Sequence, residues 1–133
     1  MAQEISFEHE PSPDRRQVVL VVEDEVLVRT VAAAYLRDEG FVVLEAAHAA
    51  EAMRILDVEA SVDLVFSDID MPGTIDGFAL AEQIGHHRPR VRVLLTSGAG
   101  GTIMARADAD VRFLPKPYRL DELLRQIRGL LEG

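Results

Sequence analysis

The sequence predicts an α/β domain with an open parallel sheet of five strands and helices on both faces. Five short apolar runs alternate along the chain with segments of helical periodicity, which is the order expected of repeated strand–helix–strand units. The first run, Val-Val-Leu-Val-Val at 18–22, is continuous and largely β-branched. Such runs are typical of strands that are buried on both faces of a parallel sheet.

The remaining elements follow in chain order from the same two patterns. Asp24 is expected to cap a first helix at 25–39, which ends at Gly40, a common residue at helix ends. The later strands are predicted at 41–45, 63–67, 91–95 and 111–114. The later helices are predicted at 49–58, 77–87 and 120–131. The segment 98–110 holds three glycines and only a weak helical pattern, so a fourth helix there is expected to be short or irregular.

The composition limits the classes of function. A chain of 133 residues is the size of one domain. The absence of cysteine excludes disulfides, thiolate zinc sites and cysteine nucleophiles. The net charge of −9 argues against binding to a nucleic-acid backbone. No apolar run approaches the roughly 20 residues that span a bilayer, and the first residues do not resemble a signal peptide. We therefore expect a cytoplasmic protein without nucleic-acid or membrane partners.

The first 16 residues differ from the rest of the chain. They are polar and acidic, contain two prolines and show no sustained period. We interpret 1–16 as a flexible N-terminal arm and 17–133 as the folded domain. A docking segment around Ile5 and Phe7 is the alternative for this arm.

Polar side chains follow four of the predicted strands. In open parallel sheets, ligands bind beyond the carboxyl ends of the strands. The residues that the fold brings to this edge are Glu23, Asp24, Asp68, Asp70, Thr96 and Lys116. Each residue alone is more often a turn, a cap or a solvated charge. Clustered carboxylates, however, repel one another and cost stability, and Mg²⁺ removes that cost because it binds carboxylate and phosphate oxygens. A lysine and a hydroxyl suit the remaining oxygens of a phosphoryl group.

Four motifs carry a resemblance to a known family. Val-Val-Glu-Asp-Glu at 21–25, Ser-Asp-Ile-Asp-Met-Pro-Gly at 67–73, Leu-Thr-Ser-Gly at 95–98 and Leu-Pro-Lys-Pro-Tyr at 114–118 together resemble a response-regulator receiver domain over residues 17–131. The resemblance implies a flavodoxin-like, doubly wound sheet with the strand order 2-1-3-4-5. It also implies a cis peptide bond between Lys116 and Pro117.

The resemblance assigns a role to each residue of the strand edge. Asp68 matches the residue that accepts a phosphoryl group from a phosphohistidine on a histidine kinase or histidine phosphotransfer protein. Glu23, Asp24, Asp68 and the backbone carbonyl of Asp70 match the positions that hold Mg²⁺. Thr96 and Lys116 match the positions that contact the phosphoryl oxygens. Thr96 and Phe113 match the switch pair, and phosphorylation is expected to change the surface formed by 98–131.

The implied function is that of a single-domain response regulator, a signalling protein and not an enzyme. We expect it to act on an unidentified downstream protein, and the sequence leaves open whether phosphorylation also drives formation of a homodimer. One alternative is an inactive receiver that serves only as a binding module. Another is a phosphatase of the haloacid-dehalogenase type, which Asp68-Ile69-Asp70 superficially fits. Pro72 stands where that motif has Thr or Val, which disfavours the phosphatase.

The first helix holds more apolar residues than the single stripe that packs on a sheet requires. The surplus indicates a partner surface near the site. The resemblance implies that this surface docks on the helical bundle of the kinase or phosphotransfer protein, with Val28 and Ala32 as candidate contacts. A helix that is simply rich in alanine is the alternative.

Overall fold

The computed structural model describes residues 15–71, 73, 75–98 and 111–132. This part of the chain contains five strands and four helices. The strands are β1 (Val18–Val22), β2 (Val42–Ala46), β3 (Leu64–Asp68), β4 (Arg92–Ser97) and β5 (Arg112–Pro115). The helices are α1 (Val26–Asp38), α2 (Ala49–Val58), α3 (Gly77–His87) and α4 (Leu120–Glu132). None of these helices has the length and apolar character needed to cross a membrane.

All five strands pair in parallel, in the order β2-β1-β3-β4-β5. This confirms the predicted fold class and strand order. Strand β5 lies at an edge of the sheet, and its last residue is Pro115. A proline is tolerated there because an edge strand needs hydrogen-bond donors on one side only.

The two faces of the sheet carry separate hydrophobic cores, as the prediction of helices on both faces requires. Helices α2 and α3 pack over one face, through residues such as Leu56 and Ile84. Helices α1 and α4 pack over the other, through residues such as Leu36 and Ile127. Alternate residues of β1 enter opposite cores, because successive side chains of a strand point to opposite faces.

One expectation about the first helix is wrong. Asp24 does not cap α1, because the residue before the helix is Glu25 and no side chain caps it. The N–H of Glu25 donates instead to Glu23 Oε2, at 3.1 Å. Of the two candidate docking contacts, Val28 is half-buried and Ala32 is buried, and both line an apolar groove beside α1.

Other expectations are confirmed or lie outside the described residues. The Lys116–Pro117 peptide bond is cis, as predicted. The arm predicted at 1–16 is described only from residue 15 onward, and of the segment 98–110 only Gly98 is described. The alternative of a docking segment around Ile5 and Phe7 also lies outside the described residues.

Candidate functional site

The sequence-predicted site residues meet at the carboxyl edge of the sheet. Asp68 is the last residue of β3 and pairs in register with Thr96 of β4. Glu23 directly follows β1, and Lys116 directly follows β5. The parallel arrangement brings these ends together because β1, β3, β4 and β5 are consecutive neighbours in the sheet.

Glu23, Asp24 and Asp68 form an acidic cluster in which one carboxylate oxygen from each residue lies within 4.8 Å of the others. Glu23 and Asp68 are each only 4% exposed, whereas Asp24 is exposed. Three carboxylates with an opening to solvent suit a small, hard divalent cation that keeps part of its water shell, as Mg²⁺ does. The donor set therefore fits the predicted metal.

Lys116 is the cation that faces the two buried carboxylates. Its Nζ donates to Asp68 Oδ2 at 3.2 Å and to Glu23 Oε1 at 3.3 Å. Burial alone would lower the pKa of Lys116, but the hydrogen bonds and charges of Asp68 and Glu23 outweigh it, so the pKa lies above its ordinary value of 10.5. Burial and the charge of Asp68 raise the pKa of Glu23 above 4.5, although the Glu25 N–H and Lys116 oppose them.

We expect Lys116→Met to lower the free energy of unfolding of the metal-free protein by about 2 kcal/mol at neutral pH, because it leaves two buried carboxylates without their shared cation. The pKa of Lys116 is higher in the folded chain, so its contribution is complete below 10.5 and is lost as the pH rises through the folded value. The difference between wild type and variant should therefore shrink above pH 10.5, measured by chemical denaturation across the alkaline range.

Tyr118 titrates in the same pH range and has to be removed from that measurement. Burial and the charge of Glu23 raise the pKa of the Tyr118 hydroxyl, so its ionisation also reduces stability at alkaline pH, and the charge of Lys116 lowers the same pKa. Both chains are therefore compared with Tyr118→Phe as a common background. A difference that stays constant through the alkaline range would show that the charge of Lys116 does not stabilise the fold.

The backbone after β3 holds the other oxygen of the Asp68 carboxylate. The N–H of Asp70 donates to Asp68 Oδ1 at 3.1 Å. The Asp70 side chain is held in turn, because the hydroxyl of the buried Ser97 donates to its Oδ2 at 2.6 Å. Ser97 was given no role from the sequence, although it follows Thr96 in the same motif.

The two residues that the sequence predicts as a switch pair, Thr96 and Phe113, lie on adjacent strands. Thr96 is buried, and its hydroxyl donates to the backbone carbonyl of Leu114 on β5 at 2.5 Å. Phe113 is half-buried, with its ring centroid 5.9 Å from that of Phe78 on α3. The Thr96 hydroxyl therefore binds the strand that carries Phe113.

Gly77 supports the site, although no motif in the sequence indicated it. It begins α3 directly over the peptide after the buried aspartate. A Cβ added at Gly77 would lie 2.6 Å from the carbonyl oxygen of Asp68 and 2.7 Å from the Cα of Ile69. A helix that begins with glycine, which has low helix propensity, was the available signal, and it indicates close backbone contact.

The fold and the site define a doubly wound α/β domain with a buried aspartate, an acidic cluster and a lysine at the carboxyl edge of the sheet. A family model described as the response regulator receiver domain matches residues 19–128. The chain belongs to this family, whose members act in two-component signalling by phosphorylation on aspartate. This confirms the resemblance drawn from the four motifs.

Two curated relatives illustrate the similarity. The chain is 37% identical over 118 residues to the sensor kinase CckA of Brucella abortus, which covers 86% of this chain and 12% of the kinase. It is 36% identical over 112 residues to the transcriptional regulatory protein PdtaR of Mycobacterium tuberculosis, which covers 82% of this chain and 54% of that protein. The chain thus spans about half, or much less, of the length of these relatives.

Solved structures agree with the fold. The receiver domain of the hybrid histidine kinase CckA superposes with a TM-score of 0.73 at 37% identity, covering 86% of this chain and 98% of that one. The response regulator TrrA of Thermotoga maritima, solved in complex with Mg²⁺ and BeF, superposes with a TM-score of 0.79 at 27% identity. The match covers 86% of this chain and 99% of TrrA.

Proposed function

We propose that Asp68 accepts a phosphoryl group from a phosphohistidine on a histidine kinase or a histidine phosphotransfer protein. The observation that carries this proposal is the joint placement of a buried Asp68 carboxylate, the Lys116 ammonium at 3.2 Å and the acidic cluster. An Asp68 oxygen attacks phosphorus, the P–N bond breaks, and its electron pair returns to the imidazole. Phosphoryl transfer needs mainly positioning and charge neutralisation, and these residues supply both.

We assign the Mg²⁺ site to Glu23, Asp24, Asp68 and the backbone carbonyl of Asp70. When bound, the ion neutralises charge on the transferring phosphoryl oxygens. The fit of the three carboxylates supports this assignment, as does the likeness to TrrA, which was solved with Mg²⁺ and BeF. Lys116 already contacts the Asp68 carboxylate and is placed to pair with a phosphoryl group there.

The switch follows from the hydroxyl of Thr96. A phosphoryl group on Asp68 adds about two negative charges and strong acceptors next to it. The single donor of Thr96 can then leave the carbonyl of Leu114 and bind the phosphoryl group. Strand β5 then loses the hydrogen bond between Leu114 and Thr96 of β4. The ring of Phe113 can rotate inward as a result. We propose that this population shift changes the surface formed by 98–131, where a downstream protein or a second copy of the chain binds.

Phosphorylation of the wild-type chain tests the proposed function. The chain is incubated with Mg²⁺ and either acetyl phosphate or a phosphorylated histidine kinase, and intact-mass spectrometry detects the added phosphoryl group. We expect labelling with both donors and none after chelation of the metal. A chain that is never labelled would support the alternative of an inactive receiver that serves only as a binding module.

An apolar groove beside the site is the proposed docking surface for the kinase. It has a volume of about 690 Å³ and lies between α1 and the segment after β5. Its lining includes Leu27, Val31, Pro117 and Tyr118, with Lys116 at its border. Leu27 is 78% exposed. A helix of the partner that fills this groove brings its phosphohistidine beside Lys116. We propose the cytoplasm as the compartment in which the kinase and this chain meet.

We expect Leu27→Gln to slow phosphotransfer from the kinase by roughly tenfold, because it removes a large exposed apolar side chain from the lining of the groove. The rate of labelling by acetyl phosphate should be unchanged, because this small donor does not need the groove and Leu27 is not part of the acidic cluster. Val58→Gln is the matched control, since Val58 is equally exposed and ends α2 on the opposite face of the sheet. Equal phosphotransfer rates for the two variants would contradict the docking surface.

A further inference from the structure

The loop that carries Asp24 is held by the side chain of Arg29. The side-chain Nη1 of Arg29 donates to the backbone carbonyl of Glu23, directly before Asp24, at 2.8 Å. On the other side of Asp24, the backbone N–H of Arg29 donates to Glu25 O at 2.9 Å, which is the ordinary helical hydrogen bond and does not depend on the side chain. The Arg29 side chain therefore fixes the peptide before Asp24, next to a helix start that no side chain caps.

Arg29 is itself held from strand β2. Its Nε donates to Glu45 Oε1 at 3.2 Å, and the Arg29 side chain is only 18% exposed. The N–H of Glu23 donates to Ala46 O at 3.0 Å, so β2 holds the Glu23 backbone directly through Ala46 and indirectly through Glu45 and Arg29. The negative charge of Glu45 also offsets the positive charge of Arg29, which would otherwise repel a cation at the acidic cluster.

We propose that Arg29 is a positioning residue for the divalent cation. Its side chain holds the Glu23–Glu25 loop in the conformation that binds the metal. This inference rests on the proposed Mg²⁺ site. The guanidinium reaches its two acceptors with two different nitrogens, Nη1 toward the carbonyl and Nε toward the carboxylate, whereas lysine has a single side-chain nitrogen. Groups that orient metal ligands without touching the metal commonly change its affinity by 10–100-fold.

Arg37 provides a matched control. Like Arg29, it lies on α1 and pairs with Glu45, with Nη2 at 3.1 Å from Oε2. Like Arg29, it also donates to one backbone carbonyl, that of Val43, at 2.8 Å. Loss of either arginine removes an ion pair to Glu45 and one side-chain hydrogen bond to the backbone. Of the two, Arg29 contacts the Glu23–Glu25 loop and Arg37 contacts β2.

The test is a titration of the intact chain with MgCl₂ by calorimetry, with the unfolding temperature of each metal-free variant measured in parallel. We expect Arg29→Met to bind Mg²⁺ roughly tenfold more weakly, Arg29→Lys to recover part of the loss, and Arg37→Met to keep the wild-type affinity. Equal weakening in Arg29→Met and Arg37→Met would overturn the proposal, because a general loosening of α1 would then explain both.

Asp24→Asn separates this proposal from the proposed function. If wild type binds Mg²⁺, Asp24→Asn does not, and Arg29→Met matches wild type, the positioning role is overturned and the metal site stands. If wild type takes up no Mg²⁺, both are overturned. If Arg29→Met does not fold, Glu45→Ala decides, since it removes the side chain that holds Arg29 from β2. Its Mg²⁺ affinity should fall at high salt as well as at low salt, because salt screens the uncompensated charge of Arg29 but does not restore its position, and an unchanged affinity overturns the proposal.

Discussion

Asp68→Asn should abolish phosphoryl acceptance and, in the metal-free protein, raise the free energy of unfolding by about 1 kcal/mol. The carboxamide is not a nucleophile toward phosphorus, so labelling should be lost completely. The gain in stability follows from the acidic cluster. Asp68 and Glu23 are each 4% exposed and share one cation, Lys116, so removing one of the two buried charges relieves their repulsion.

Intact-mass spectrometry and chemical denaturation check the two parts of this prediction. Asp76→Asn is the control, because it makes the same chemical change close to the site while asparagine caps a helix as well as aspartate does. The Asp76 side chain accepts from the N–H of Ala79 at the start of α3, and this variant should be labelled like wild type. A labelled Asp68→Asn would place the acceptor elsewhere. A loss of stability would show that the pair with Lys116 outweighs the repulsion.

The fold was predictable because its signals are local. The β-branched run of β1 and the spacing of apolar residues in α4 determine the element types without knowledge of their neighbours. The strand order was not predictable from those patterns, since many orders bury the same runs. It followed from the four family motifs. That Glu23, Asp68 and Lys116 lie at one edge was predictable without the family, because each directly follows or ends a strand of a parallel sheet.

The error about the helix cap has a physical reason. Asp24 is a good capping residue by type, but α1 begins one residue later than such a cap requires, and Asp24 belongs to the acidic cluster. The burial of Ala32 was not evident from the sequence, because the apolar surplus of α1 obscured which side of the helix packs on the sheet. The contacts of Arg29 and Gly77 depend on distances between elements that are remote along the chain, which no local pattern encodes.

The second substitution with a large expected effect is at Gly77, which lies close to the backbone of Asp68 and Ile69. We expect Gly77→Ala to lower the free energy of unfolding by about 2 kcal/mol, because the new methyl group overlaps backbone atoms of Asp68 and Ile69 that have no rotamer to change. Helix α3 or the end of β3 has to move, and either movement shifts the Asp68 carboxylate. Since phosphoryl transfer depends on positioning, labelling by acetyl phosphate should slow by between ten- and a hundredfold.

Gly85→Ala separates the overlap from the general effect of alanine in a helix. Gly85 lies in the same helix α3, and a Cβ added there meets nothing within 4 Å. That variant should gain roughly 0.5–1 kcal/mol, because alanine is the better helix former, and its labelling rate should not change. Both rates are measured under conditions in which each variant is fully folded. A Gly77→Ala variant that is as stable and as fast as Gly85→Ala would show that α3 does not constrain Asp68. Slow labelling with normal stability would show that the peptide after β3 yields to the methyl group, so that the position of the nucleophile is more sensitive to Gly77 than the fold is.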